Sequence, residues 1–164
     1  MDNLVKRAQQ GDADAFAELM QSQMQNMYKT ASAMLRDDED AADAISETIL
    51  VCWEKMRQLK NTDFFKTWMT RILINKCNDC LRRRKKICPV EEVEDTPVSP
   101  REYENVEWME MMRGLDEKYR LVMILYYVNG LKTTEISSIL KISDSTVRTR
   151  LARGRSRMAE LYAV

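Results

Sequence analysis

Apolar residues return every three or four positions along most of the chain, the period of amphipathic helices rather than of strands. Over residues 1–36 this step is kept by Ala15, Phe16, Leu19, Met20, Met27, Ala31, Met34 and Leu35, with Asp12 placed to cap. The stripe reads as core. After an acidic DDED turn, Asp38 to Leu59 predicts a second helix, with Ala41, Ala44, Ile45, Ile49, Cys52, Trp53 and Met56 as its apolar face. Asp43, Ser46 and Glu47 are left pointing outward. Lys60 to Thr67 (KNTDFFKT) is a short polar loop that opens a third long helix, Phe64 to about Lys86. Phe65, Trp68, Met69, Ile72, Leu73, Cys77 and Leu81 lie on one side of it, while Arg71, Asn75, Asn78, Asp79 and Arg82 occupy the rest.

The C-terminal part predicts four more helices: Glu102 to Arg113, Asp116 to Asn129 with Gly130 as its stop, Lys132 to Leu140, and Ile142 to Leu161. The last two carry the most information. In KTTEISSIL, Thr133 is a candidate N-cap, Glu135 stands in the first turn, and Ile136, Ile139 and Leu140 keep helical spacing. The tight Lys141-Ile142-Ser143 connection leads into ISDSTVRTRLARGRSRMAEL, where Ser143 caps and Asp144 faces the helix dipole. At about 100° per residue, Val147, Leu151, Gly154, Met158 and Leu161 share one buried stripe. Ser145, Thr149, Ala152, Arg153 and Ser156 project from the opposite side, with Arg148 and Arg155 on one rim and Arg150 and Arg157 on the other. A solvated basic helix is the bland alternative. The helix, short turn, helix order favours instead a helix-turn-helix whose second helix enters a major groove, reading base edges from its centre and phosphates from its rims.

Composition divides the chain. All three prolines and an acidic run fall in ICPVEEVEDTPVSPR (87–101), which reads as a linker. The predicted architecture is all-α, with two small helical domains, 1–86 and 102–164, joined by that acidic, proline-containing segment. Formal net charge is zero, yet it is unevenly spread: −5 over residues 1–59, +7 over 60–90, −8 over 91–117 and +6 over 118–164. Two separate basic zones suit two contacts with one polyanion. The longest apolar run, Leu121 to Val128, is much shorter than the roughly 20 residues of a membrane span. With no apolar signal core in MDNLVKRAQQ, the expected location is cytoplasmic, without membrane insertion, and the four cysteines are expected as thiols.

Amides, carboxylates and guanidinium groups beside the aromatic loop of the third helix are what single-strand readers use, by stacking and hydrogen bonding. Cys77 and Cys80 form a C-x-x-C, with Cys88 just beyond as a third thiol. A zinc site needs more than this pair, and the chain has no histidine, so no metal and no cofactor are expected. Nor is there a phosphate-binding glycine loop or a paired nucleophile and base, so no catalytic residue is assigned and the chain is not expected to be an enzyme.

The order of parts resembles the bacterial sigma factors, in particular the two-domain extracytoplasmic-function (ECF) group. The likeness is carried by DAFAELM (14–20), DAADAISETILVCW (40–53), FFKTWMTRILINKCNDCLRRRKK (64–86), LDEKYRLVMILYYVNGLKTTEISSIL (115–140) and DSTVRTRLARGRSR (144–157). It implies a protein that is a monomer when free, binds core RNA polymerase and directs it to promoter DNA, and is held by a membrane-tethered anti-sigma factor. By position, Asp43, Ser46 and Glu47 fall where the family docks on polymerase. Asn61, Thr62, Asp63 and Phe64 match the loop that receives a flipped minus-10 base, and Asn75 and Asp79, beside Arg71 and Arg82, match neighbouring contacts. Arg148, Thr149, Ala152 and Arg153 fall on the minus-35-reading positions, to which helical geometry adds Ser145 and the rim residue Arg155. Ser46 stands in place of a usual glutamine, Asp116 of a usual proline and Lys141 of a usual glycine. The resemblance also implies that the linker threads the RNA channel of polymerase, where Glu91 to Asp95 would stand in for RNA. The competing reading is a stand-alone operator-binding regulator; such proteins are usually dimers on paired half-sites, and no dimerising coiled coil is visible.

Overall fold

Where the chain turns is decided by a few caps and by two glycines. The computed structural model describes residues 1–87 and 106–162, and every regular element among them is helical. The chain folds as two compact units, Met1–Thr96 and Pro97–Val164. The readings of residues 88–105, which include Cys88 and the acidic run Glu91 to Asp95, lie outside the described residues.

In the first unit, the single helix expected over residues 1–36 is two: α1 (Asp2–Gln9) and α2 (Ala13–Leu35). Gly11, at φ 90°, makes the break with a backbone conformation that costs other residues dearly. Asp12 then caps α2, accepting from the Ala15 amide at 3.1 Å while Arg7 donates to its other oxygen at 2.8 Å. Asp37 does the same for α3 (Asp38–Lys55), accepting from the Asp40 amide at 2.9 Å. α3 ends four residues earlier than its apolar pattern suggests and continues as a 3-10 turn, Met56–Gln58. A second 3-10 turn, Thr62–Phe64, leads into α4 (Phe65–Ile87). The core between these helices holds Val5, Leu19, Met27, Leu35, Ala41, Ile45, Cys52, Phe65, Met69, Leu73 and Cys77. Trp53, expected on the apolar face of α3, is instead 42 % exposed, because it lies at the rim with one edge against Phe16 at 4.9 Å between ring centroids.

The second unit comprises α5 (Val106–Arg113), α6 (Glu117–Met123) with a π turn over Ile124–Val128, α7 (Thr133–Leu140) and α8 (Asp144–Leu161). The π turn, closed by the Asn129 amide on the Ile124 carbonyl at 3.1 Å, buries Ile124 and Leu125 and leaves Tyr126 and Tyr127 outside. Gly130, at φ 65°, stops the helix. The N-cap of α7 is Lys132 rather than Thr133, and the Glu135 carboxylate reaches back to accept from the Lys132 amide at 2.8 Å. Val122, Ile136, Ile139, Val147 and Leu151 close the core. Gly154 lets α8 approach α6, since a Cβ there would stand 3.0 Å from the Met123 side chain.

Candidate nucleic-acid interface

The α7–α8 turn fixes the direction of α8. Lys141 takes a left-handed conformation, φ 57°, and Ser137 spans the turn, its hydroxyl donating to the Ile142 carbonyl at 2.5 Å and its carbonyl accepting from the Ile142 amide at 3.3 Å. Ser143 then caps α8, accepting from the Thr146 amide at 3.2 Å. Thus oriented, α8 buries Val147, Leu151 and Gly154 and exposes Ser145, Arg148, Thr149, Ala152, Arg153 and Arg155. The stripe loosens toward the end: Met158 is half-buried and Leu161 exposed. Ser145, Thr149 and Arg153 border a groove whose other wall is Lys118 and Tyr119 of α6. Arg148 pairs with Asp144 at 2.7 Å, and Arg155 donates to the Tyr127 hydroxyl at 2.9 Å.

In the first unit the loop before α4 holds one aromatic in and one out: Phe65 is buried and Phe64 is 51 % exposed. Asn61 shapes the loop by accepting the Asp63 amide on its side-chain oxygen at 3.0 Å and the Phe64 amide on its carbonyl at 3.1 Å. Asn61 and Asp63 are exposed, whereas Thr62 is half-buried and donates its hydroxyl to Asp2 of α1. Arg71, Asn75 and Arg82 are exposed along α4; Asp79 is half-buried and lies 3.5 Å from Arg82. On α3, Asp43 and Ser46 are exposed, and Glu47 approaches Lys76 of α4 at 3.9 Å. The same face carries Leu50, 62 % exposed, one turn beyond Ser46 and Glu47.

Two family models match: sigma-70 region 2 over residues 7–87 and sigma-70 region 4 over residues 105–158. The chain belongs to the sigma-70 family. Its curated relatives include the ECF RNA polymerase sigma factor SigW of Bacillus subtilis, 29 % identical with 92 % of this chain and 90 % of the relative covered. They also include RNA polymerase sigma factor SigV of the same organism, 28 % identical over 79 % of this chain and 80 % of the relative. Among solved structures, the sigma factor RpoE in complex with the anti-sigma factor NepR from Bartonella quintana shares the fold at TM-score 0.71, with 20 % identity and coverage of 90 % of this chain and 98 % of that one. The protein is a promoter-directing sigma factor, not a stand-alone regulator.

Within this sigma factor the three described cysteines, Cys52, Cys77 and Cys80, are buried packing residues. Burial pushes the Cys52 and Cys77 thiols up to about 12, and Cys80 is raised too, first by burial and then by the negative charge of Asp40. Among the described residues, no group of three or more His, Cys, Asp or Glu is placed to hold a metal ion, and no helix is long and apolar enough to cross a membrane. Three features of the surface escape a linear reading of the sequence. Arg84, in the RRRKK end of α4, is turned inward, donating to the Asp40 carboxylate at 2.7 Å through Nε and to the Leu35 carbonyl at 2.8 Å. Tyr127 holds Arg155, and α1 underlies the loop at Thr62; both link residues far apart in sequence.

Proposed function

We propose that residues 1–86 of this sigma factor dock on core RNA polymerase and open the minus-10 element, that residues 102–164 read the minus-35 duplex, and that residues 87–101 join the two. The observation that carries this division is the sorting of α8, whose base-reading candidates Ser145, Arg148, Thr149, Ala152 and Arg153 are all exposed while Val147, Leu151 and Gly154 are buried. An arginine in the centre of such a face can meet the O6 and N7 of guanine, and small neighbours leave room for it; Arg155 at the rim is placed for phosphate. On the other unit, Asn61, Thr62, Asp63 and Phe64 form the pocket for an extruded base, and Arg71, Asn75, Asp79 and Arg82 contact the adjoining strand. Phe64 offers a ring for stacking, a contact available to any base.

Docking falls to Asp43, Ser46 and Glu47, with Leu50 as the apolar centre of the same face. A lone carboxylate in water contributes little, but an exposed leucine flanked by acids is a surface that gains by being covered. An anti-sigma factor, such as the one that the solved relative RpoE carries, would cover the same face and keep the protein from polymerase. No bond-making chemistry is assigned to the protein itself; its place of action is that of the polymerase it loads.

The test is transcription from promoter DNA by core polymerase with and without the purified protein. Asn61→Ala and Asp63→Ala should slow promoter opening more than initial binding. A premelted bubble should restore part of the loss, because unstacking a base costs a few kcal/mol that the loop no longer has to offset. If the bubble restores nothing, the loop does not hold the flipped base.

A further inference from the structure

The first helix has no part in the assignment above, yet it holds the base-reading loop from behind. Gln9 sits at its end and donates both hydrogens of one side-chain amide, to the Met56 carbonyl at 3.1 Å and the Leu59 carbonyl at 2.8 Å. These carbonyls close the 3-10 turn that follows α3: that of Met56 also accepts from the Leu59 amide at 3.4 Å, and that of Leu59 lies past the last helical residue, where the ladder offers no further donor. A planar amide with two donors matches two converging acceptors, a match that no apolar or hydroxyl side chain can supply. At the other end of α1, Asp2 accepts the Thr62 hydroxyl and pairs with Lys6 at 2.9 Å. The loop is thus tied at its entry, Met56 to Leu59, and at its centre, Thr62, to the two ends of one rigid helix of about 12 Å.

We propose that α1 is a positioning brace for minus-10 recognition, with Gln9 and Asp2 as positioning residues that set the loop Asn61–Phe64 in its base-receiving shape before DNA arrives. The proposal rests on the reading of that loop as the base pocket. A pocket that must return the energy of an extruded base works only if its own shape costs nothing to assume at that moment. Asn61 orders the loop internally, through its bond to the Asp63 amide, but nothing in that local bond fixes the loop against α4 and α3. The Asp2 contact also uses the Thr62 hydroxyl proton, so toward DNA that oxygen is left as an acceptor.

The experiment measures open-complex formation by holoenzyme made with the full chain, on a promoter fragment carrying 2-aminopurine in the minus-10 element, alongside core affinity and thermal stability of the free protein. Gln9→Ala should slow the 2-aminopurine signal roughly 5- to 30-fold and Asp2→Ala roughly two- to tenfold, the factors that such hydrogen bonds carry. Core affinity should stay within about twofold for both, since the docking face on α3 is untouched. In a Thr62→Val background, Asp2→Ala should add no further loss of opening, because its tie to the loop is already gone and the Lys6 pair it also removes lies within α1. Should Asn61→Ala and Asp63→Ala slow opening while Gln9→Ala and Asp2→Ala do not, the brace is refuted and the loop reading stands. If none of the four slows opening, both fall. If Gln9→Ala lowers core affinity and stability in proportion to opening, and Asp2→Ala is silent, α1 is only a structural support and the proposal is wrong.

Discussion

Replacing Arg84 by Gln should destabilise the protein and leave its grip on DNA almost unchanged, the opposite of what a basic helix end suggests. The guanidinium contacts Asp40 through Nε and Nη2 and donates through Nη1 to the Leu35 carbonyl, the last residue of α2. It therefore ties the end of α4 to the α2–α3 joint, at a carbonyl that the left-handed Arg36 has left outside the helical ladder. A hydrogen bond to a charged group contributes about 1.5–3 kcal/mol when well shielded. Side-chain exposures of 27 % for Arg84 and 33 % for Asp40 call for a discount toward the smaller worth of surface pairs, so about 1–3 kcal/mol is expected for the whole constellation. For a unit of this size each kcal/mol moves the midpoint by about 4–8 °C. Asp40→Asn should lose a similar amount, and the double variant less than the sum. Arg82, 72 % exposed, is the comparison. Arg82→Gln should leave the melting midpoint in place and flatten the plot of log affinity against log salt by about 0.7–0.9, the contribution of one phosphate contact. Thermal unfolding of the full chain and salt titration of holoenzyme on promoter DNA read both quantities. An Arg84→Gln protein that melts with the parent and flattens the salt plot as Arg82→Gln does would refute the structural role of Arg84.

Two further outcomes follow from the second unit and from the thiols. Arg153→Ala should cost about 1–3 kcal/mol on the preferred minus-35 sequence and relax discrimination at one base pair. Arg155→Ala, and more weakly Tyr127→Phe, should reduce affinity for all sequences alike; equal loss of discrimination from Arg153→Ala and Arg155→Ala would show the faces of α8 to be misassigned. Cys52 and Cys77, pushed up to about 12, hold their protons where an unfolded thiol near 9.0 has released its own. Their contribution to stability is therefore complete below pH 9 and lost as pH rises from there toward 12, by up to about 1.4 kcal/mol per pH unit for each thiol. At pH 8 both should resist iodoacetamide in the native protein and react on unfolding, so rapid native alkylation of either would contradict their burial.

What could be read from the sequence was whatever is encoded locally. Asp12 and Ser143 cap the helices that their positions suggest, because an N-cap acts on amides only two or three residues ahead. The inward stripe of α8 follows from its period as far as Gly154, beyond which Met158 is half-buried and Leu161 exposed. The end of α3 was not legible: the apolar step runs on through Met56 and Leu59, but their carbonyls are taken by Gln9, some fifty residues earlier in the chain. The break at Gly11 was hidden for a related reason, since Val5 and Ala8 continue into the same core as α2. Trp53 continues the apolar step of α3, yet it lies at the rim, 42 % exposed, and only the packing of the neighbouring helices shows where the buried stripe ends. Lys141 is the reverse case. It stands where the family usually has glycine, and its φ of 57° gives the physical reason, a left-handed conformation that costs an L-residue about 1–2 kcal/mol.

The same long-range contacts decide how much basic surface is left for DNA. By composition the two basic zones carry +7 and +6. In the folded units Arg84 is committed to Asp40, Arg148 to Asp144, Arg155 to Tyr127 and Arg157 to Glu160. The pairs on α8 are exposed and can exchange partners for phosphate, but each exchange gives up a contact, so the gain per arginine falls below that of an unpaired one. With about four phosphate contacts, affinity for duplex would drop roughly a hundredfold between 50 and 200 mM salt. Neither unit alone is then expected to have a useful hold on a promoter at physiological salt. When both are carried by one polymerase, binding of the first converts binding of the second into an intramolecular event, at an effective concentration that short linkers place near the millimolar range. On the proposed division two weak readers would become one specific reader on polymerase, and the acidic segment between the basic zones, residues 91–117, would disfavour unproductive attachment to DNA when polymerase is absent.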